Sequence, residues 1–176
     1  MNTRKYVVGL CLFVALAATP IFAANPFEFE AAKVGQVNLN LGVSLGWGVG
    51  ADVGADFILG KFDIKHFPME WGIGVRGLAE FGFWGGFDWG AAGLWTLHKG
   101  FSFGNHADFD VYVGVGAGVG GYTDVYWGQP FGVGFATFDG IAWGITKNLW
   151  LQLEYGGVYG WNVSTSVASI GIRLNL

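Results

Sequence analysis

The sequence predicts an all-β fold, an eight-stranded antiparallel up-and-down transmembrane β-barrel that follows a cleaved signal peptide. Three observations predict it. Apolar residues alternate with glycine or polar residues over long stretches, and a period of two places successive side chains on opposite faces of a β-strand. The chain is 52% hydrophobic and 18% aromatic but only 12% charged. A short apolar segment at the amino terminus has the features of an export signal.

The composition excludes several classes of protein. So large an apolar and aromatic fraction is incompatible with a disordered chain, and the 32 glycines do not follow the collagen repeat. A length of 176 residues fits one domain. A formal net charge of −4 argues against a protein that binds nucleic-acid phosphates.

Residues 1–23 form the predicted signal peptide. Arg4 and Lys5 provide the positive start, residues 6–18 are apolar, and the segment ends at the small residue Ala23. These 13 apolar residues are too few to span a bilayer as a helix, which takes about 20. We therefore expect cleavage, with an uncleaved anchor as the alternative. The one cysteine of the chain would be removed with the signal.

The rest of the chain divides into a short lead-in and the barrel. We expect residues 24–36 to be a periplasmic lead-in and residues 37–176 to form the barrel domain. From Val37 the alternation runs for seventeen residues, with apolar side chains at the odd positions. This stretch is interpreted as the first strand, with the first outer loop near Val53, and a less regular second strand follows at about 55–62.

Six further segments repeat the alternation, which brings the number of predicted strands to eight. They lie at 69–83, 87–98, 109–120, 131–146, 149–156 and 168–176. The fourth of these is the least regular, because Asp139 interrupts its apolar face. Loops are expected on the outer side at 83–87, 121–130 and 156–165, and turns on the periplasmic side at 63–68, 98–107 and 146–148.

The apolar face of these strands is expected to contact lipid. A soluble sandwich would carry charged side chains on its outer face, whereas here the other face is mostly glycine. Lysine or arginine at the middle of a lipid-facing strand costs about 2–4 kcal/mol, and the apolar face carries none. A secreted soluble β-protein is the alternative. The predicted lipid-facing set is Leu41, Trp47, Trp71, Val113, Val115, Leu151, Leu153 and Ile172.

The glycine-rich face is expected to line a narrow lumen. The predicted charge network there is Arg76, Glu80, Asp88, Glu154 and Arg173. Because an isolated buried charge is very costly, we expect the two arginines of this set to pair with its two glutamates. Eight strands enclose only enough space for side chains, and Trp84, Tyr112 and Trp150 are expected to fill it. The sequence therefore predicts a packed interior.

Three segments carry a family resemblance. Residues 110–122 are glycine-rich, residues 145–155 combine a short turn with an alternating strand, and residues 170–176 alternate to the end of the chain. They resemble the fifth strand, the seventh strand with its turn, and the C-terminal strand of small eight-stranded outer-membrane barrels of bacteria. This is the group of OmpX, Opa and the OmpA transmembrane domain. Leu176 departs from the group, whose chains usually end in an aromatic residue.

The resemblance implies a location and partners. Members of the group reside in the bacterial outer membrane, contact its lipid (lipopolysaccharide or an equivalent), and are inserted by the barrel assembly machinery, which recognises the C-terminal strand. The group has no single activity, since its members include adhesins, envelope-stabilising proteins and binders of small apolar molecules. Fold alone does not give the function here.

The sequence offers little for catalysis, cofactors or metals. A Gly-x-Gly-x-x-Gly match at 116–121 lacks the following helix that nucleotide binding needs. His66, His98 and His106 fall in predicted periplasmic turns and lack the spacing of metal ligands. Ser102 lies between the last two histidines, on the side away from the outer leaflet. We therefore predict no enzyme, no cofactor, no metal and no nucleic-acid partner.

Aromatic residues are expected to gather at the outer rim. They are Trp84, Tyr122, Tyr126, Trp127, Tyr159 and Trp161. An interfacial girdle, which such barrels carry generally, is favoured over a binding patch for an extracellular ligand. The predicted function is that of a non-catalytic outer-membrane barrel with a structural or surface-interaction role, either adhesin-like or in envelope integrity. The alternative is a narrow channel or a binding site for small or hydrophobic solutes.

Overall fold

A computed structural model of the chain describes residues 28–46, 48–64, 67–103, 107–123, 131–160 and 163–176. The predicted signal peptide lies outside the described residues. Within those ranges, no helix has the length and apolar character needed to cross a membrane.

Eight antiparallel strands form one closed ring in chain order. They are β1 (Val37–Leu45), β2 (Gly48–Ile64), β3 (Phe67–Gly82), β4 (Phe87–Ser102), β5 (Asp108–Thr123), β6 (Phe131–Gly144), β7 (Leu149–Gly160) and β8 (Ser164–Asn175). β8 closes the ring by pairing with β1, from Asn38↔Asn175 to Leu45↔Ala168. The predicted all-β, eight-stranded up-and-down barrel is confirmed. The end that holds Val37 and Asn175 is called the near end, and the opposite end is the far end.

The first chain reversal is earlier than predicted. β1 ends at Leu45, β2 begins at Gly48, and the two strands pair from Leu45↔Val49 to Val37↔Phe57. Val53 therefore lies in the middle of β2, and the outer loop predicted there is wrong. The reversal pairs odd positions with odd positions, so the alternation continues in phase through it. The two-residue alternation of the sequence does not by itself reveal such a turn.

A β-bulge explains why the second strand was hard to recognise. The register of β2 against β3 shifts between Ile58 and Gly60, so Leu59 is the extra residue and the alternation changes phase there. Beyond the bulge, Lys61 is opposite Glu70, which lies on the inward face. The bulge thereby keeps the charge of Lys61 off the outward face.

Two connections are shorter than predicted. β7 and β8 pair along Gly156↔Val167 and Gly157↔Ser166, so most of the loop expected at 156–165 is strand. β4 likewise continues to Ser102, well into the turn expected at 98–107. Glycine and serine are typical of loops in soluble proteins, but here they form the barrel wall.

The segment before β1 lies across the near end of the lumen. Ala31 is buried against Ala142 of β6 and Trp150 of β7. The backbone nitrogen of Ala31 passes so close to Gly100 of β4 that a Cβ on this glycine would lie 2.5 Å from it. On the other side, the Gly35 N–H donates to the Ile58 carbonyl of β2 at 2.8 Å. Residues 28–36 therefore contact four strands and cover this end.

Close contact between β4 and β5 gives a test of the barrel wall. A Cβ on Gly116 would lie 2.0 Å from the Gly93 carbonyl oxygen, whereas a Cβ on Gly93 would meet nothing within 4 Å. We expect Gly116→Ala to lower the free energy of unfolding by about 1–3 kcal/mol, because the two strands must separate to admit the methyl group. Urea unfolding in lipid vesicles measures this. The matched control, Gly93→Ala, is expected to leave stability unchanged or slightly raised, and equal effects from both would contradict the close contact.

Candidate functional site

The lumen is lined by the inward face of every strand, and Arg76 of β3 lies at its centre. Its Nη1 and Nη2 donate to the two carboxylate oxygens of Asp56 on β2 at 3.0 and 2.9 Å. Its Nε donates to Glu154 of β7 at 3.1 Å. All three side chains are at most 2% exposed. The planar guanidinium thus binds one carboxylate with two parallel hydrogen bonds and reaches a second across the lumen.

Neutral side chains complete the contacts of these two carboxylates. The Tyr112 hydroxyl on β5 donates to Glu154 at 2.8 Å, and the Gln152 amide donates to it at 3.3 Å. The Asn40 amide on β1 donates to Asp56 at 3.0 Å. The carboxylates around Arg76 therefore join five strands, β1, β2, β3, β5 and β7, through buried hydrogen bonds.

A second charged cluster lies closer to the near end. Arg173 of β8 donates to Asp110 of β5, and His98 Nδ1 of β4 is 2.8 Å from the same carboxylate oxygen. The Arg173 guanidinium lies over the Tyr112 ring, 4.8 Å from its centroid, and the His98 ring stacks on Tyr112 at 5.5 Å. Tyr112 thus contacts both clusters, since its hydroxyl also reaches Glu154.

The far part of the lumen contains an apolar cluster. Its buried cluster contains Leu78, Ala92, Leu94, Ala136, Phe138, Val158, Val163 and Val167. They come from β3, β4, β6, β7 and the first half of β8, with Val163 directly before β8. Because the apolar cluster covers the far side and residues 28–36 cover the near end, the Arg76 and Arg173 clusters lie between two closed layers.

The pairing of the predicted charge network is only partly as expected. Arg76 contacts Glu154, but the expected contact of Arg173 with a glutamate is wrong, because Arg173 binds Asp110 across the lumen. Glu80 is buried four residues farther along β3 than Arg76. Alternation assigns a side chain to the inward face, but it gives neither its height in the barrel nor its partner across the lumen.

Two other residues of the predicted interior, Asp88 and Trp84, lie at the far end of the barrel. Asp88 is at the start of β4, partly exposed and opposite Glu80, and within the described part of the chain it forms no ion pair. Trp84 lies at the β3–β4 turn and is 95% exposed, so its expected place in the lumen is wrong. Tyr112 and Trp150 do line the lumen and are buried.

Several lumen residues were missed as site residues. Asp56, His98 and Asp110 carry much of the network, and all three occupy inward positions of their strands. The predicted strand 87–98 and the predicted turn 98–107 meet at His98, and the turn is wrong because β4 continues past this residue. Its even position, in phase with Thr96, was the available signal. His66 and His106 lie outside the described residues.

The outward face of the barrel is apolar. Most of the predicted lipid-facing residues are exposed there, namely Leu41, Val113, Val115, Leu151, Leu153 and Ile172. Trp71 is partly exposed on the same face and stacks on Phe62 at 6.2 Å. Trp47 lies outside the described residues. The polar side chains are inside and the apolar ones outside, the reverse of a soluble protein.

The predicted aromatic rim is described only in part. Trp84 and Tyr122 are exposed at the far end, and Tyr159 is partly exposed near the end of β7. Tyr126, Trp127 and Trp161 lie outside the described residues. Within the described chain, no group of three or more His, Cys, Asp or Glu side chains is placed to hold a metal ion.

Solved structures with similar architecture include the N-terminal β-barrel domain of Pseudomonas aeruginosa OprF. The TM-score is 0.56 at 12% identity, over 81% of this chain and 98% of that one. The chain has the fold of the small outer-membrane β-barrels. Ail of Yersinia pestis in a phospholipid nanodisc is similar at TM-score 0.49 and 14% identity, over 81% of this chain and 99% of that one. Neisserial surface protein A is similar at TM-score 0.41 and 12% identity, over 79% and 94%.

The likeness confirms, at the level of the fold, the family resemblance drawn from the sequence. No protein-family model and no curated protein matches the sequence. The closed ring and the similarity in fold give the architecture of a transmembrane β-barrel, and this architecture does not by itself specify an activity.

The central arginine gives a test of the lumen network. We expect Arg76→Met to lower the free energy of unfolding by about 3–5 kcal/mol, because it leaves Asp56 and Glu154 buried without their cation. Urea unfolding in lipid vesicles measures the loss. The control is Lys61→Met, which removes a cation from the exposed pair with Glu30 and is expected to cost less than about 1 kcal/mol. Equal losses for the two variants would contradict a structural role for the buried pair.

Proposed function

We propose that the protein resides in the bacterial outer membrane as a closed barrel with a structural or surface-interaction role and without catalytic activity. One observation carries the proposal: the charged side chains are buried in the lumen while the large apolar ones are exposed around the ring. Arg76 and Arg173 are at most 3% exposed, whereas Val113 and Leu153 are 43% and 51% exposed. In water, exposing this much apolar surface would be unfavourable, but a bilayer favours it.

The closed ladder supports the same environment. Every strand pairs with two neighbours, so the wall has no free edge. In hydrocarbon each unpaired backbone group costs several kcal/mol, and closed barrels avoid that cost. Both ends of the barrel domain, at Val37 and Asn175, lie at the near end. We assign the near end to the periplasmic side of the membrane and the far end to the outside.

The filled lumen favours a structural role over conduction. Arg76 and Arg173 bind buried carboxylates, and these ion pairs are covered by the apolar cluster on one side and residues 28–36 on the other. A solute would have to separate Arg76 from two carboxylates in order to pass. For the same reason we assign these acids and bases to packing and not to catalysis.

The outer surface offers a small platform for interaction. The β3–β4 turn has positive φ angles at Gly85 and Gly86, which let it fold back tightly and project Phe83 and Trp84. Aromatic side chains at this level suit the lipopolysaccharide interface or an extracellular ligand. We also propose that the barrel assembly machinery recognises β8, the C-terminal strand.

Single cysteines test the membrane location, because the chain after the predicted signal contains no cysteine. We expect Trp84→Cys on intact cells to react with a membrane-impermeant maleimide. Val113→Cys should react only after unfolding, because lipid covers it. Labelling on gels and fractionation of the envelope measure both. Recovery in the soluble fraction, with Val113→Cys freely labelled, would contradict the proposal.

Planar-bilayer recording separates the proposed role from the alternative of a narrow channel. We expect the refolded wild-type protein to give no steady conductance, since its lumen is blocked by the Arg76 cluster. Heat-modifiable migration on gels confirms that the inserted protein is folded. A stable single-channel current from folded protein would contradict the structural role and favour the channel.

A further inference from the structure

The outward face of β6 carries a carboxylate that the fold does not use. Asp139 occupies an outward position near the middle of this 14-residue strand, in phase with the exposed Phe135 and Ile141. Among the described residues, one other charged side chain has an outward position, Lys99 at the near end of β4, and its ammonium is buried against the Pro68 carbonyl at 2.9 Å. Asp139 is therefore the charge that the apolar outer face displays at mid-height.

The nearest outward neighbours of Asp139 include hydroxyl groups. Tyr155 of β7 is directly opposite it, and Val113 of β5 is opposite on the other side. Thr137 lies two residues along the same strand face, beside Gly157 of β7. Tyr155 is 40% exposed, and no hydrogen bond joins it to Asp139 in the described chain. An acceptor and two donors thus lie together on the outer wall, each directed outward.

Such a carboxylate is costly in contact with acyl chains. Ionisable side chains within a membrane are rare and mark functional contacts. The outward positions in the middle of β2 and β3, on the opposite wall, are apolar, as at Val53 and Val75. A second apolar feature, a shallow groove of about 710 Å³ between β3 and β6 that includes Ala91 and Ala117, has no outward polar group. Acyl chains can fill that groove, but they offer no hydrogen-bond donor to the carboxylate of Asp139.

A second copy of the same chain supplies the missing donors. Two copies with one orientation in a bilayer are related by a two-fold axis along the membrane normal, so each presents the same face at the same depth. Asp139 of one copy then meets the hydroxyls beside Asp139 of the other. Gly157 and the neighbouring Ser166 are small and let the two walls approach closely.

We propose that two copies of this chain associate in the membrane through the outward faces of β6 and β7, where Asp139 of each copy accepts a hydrogen bond from Tyr155 or Thr137 of the other. The inference rests on the proposed membrane location. It assigns a role to Asp139, the charged residue that interrupts the apolar outward face of β6.

Cysteine cross-linking in outer-membrane fractions tests the face. Ile141→Cys lies on β6 beside Asp139, and Val53→Cys lies on β2, four strands away on the opposite wall; both wild-type residues are exposed on the outward face. With a short bis-maleimide, we expect the first variant to give a cross-linked dimer and the second to remain monomeric. Heat-modifiable migration confirms that each variant is folded.

The donors and the acceptor are tested by substitution in the otherwise unchanged, cysteine-free protein. Asp139→Leu, and the combined change Tyr155→Phe with Thr137→Val, are each expected to weaken association about tenfold, since a two-fold dimer loses two hydrogen bonds with either change. Sedimentation equilibrium of the cysteine-free variants in density-matched micelles measures the dissociation constant. The matched control is Val75→Leu on β3, outside the proposed interface, and it should leave the dissociation constant unchanged.

The outcomes separate this inference from the proposed location. Protein that fractionates with the outer membrane but stays monomeric overturns the dimer and leaves the location standing. Equal cross-linking at Ile141→Cys and Val53→Cys, or undiminished association of Asp139→Leu, would each overturn it as well. Recovery of the protein in the soluble fraction would overturn the location and, with it, the dimer.

Discussion

The closed ring of backbone hydrogen bonds is the constraint on which the rest of the molecule depends. A sheet with a free edge would expose unpaired amides and carbonyls, which hydrocarbon cannot solvate. Pairing of β1 with β8 removes that edge. Once the ring is closed, successive side chains must face either outward or into a lumen of fixed width, so the wall divides the sequence into an apolar outer set and a polar or small inner set.

The narrow lumen determines how charge is handled. Arg76 lies between Asp56 and Glu154, and Arg173 is held by Asp110. Buried in this way, a charged group is tolerated only when its partner is in place, so the network links strands that are far apart in sequence. The apolar cluster around Phe138 and the segment before β1 then close the two ends. Because the lumen is closed in this way, other molecules can contact the barrel only on its outer surfaces.

Much of this could be predicted from the sequence, but not the contacts. The alternation around Val113 and Leu151 correctly indicated strands. The similarity to solved outer-membrane barrels confirms the predicted barrel fold. The first turn was misplaced at Val53 because a reversal that keeps the phase is invisible to periodicity. The partner of Arg173 was missed because the register between strands, and the position across the lumen, depend on residues far away in the chain.

The local amino-acid sequence determined the number of strands and their two chemically distinct faces, since both follow from the side-chain period of an extended backbone. Closure of the ring determined which inward charges meet, how the bulge after Ile58 turns Lys61 away from the outer surface, and that residues 28–36 cover the near end. These features depend on stagger and tilt around the whole ring. No single stretch of sequence contains that information, because each strand acquires its height only from its neighbours.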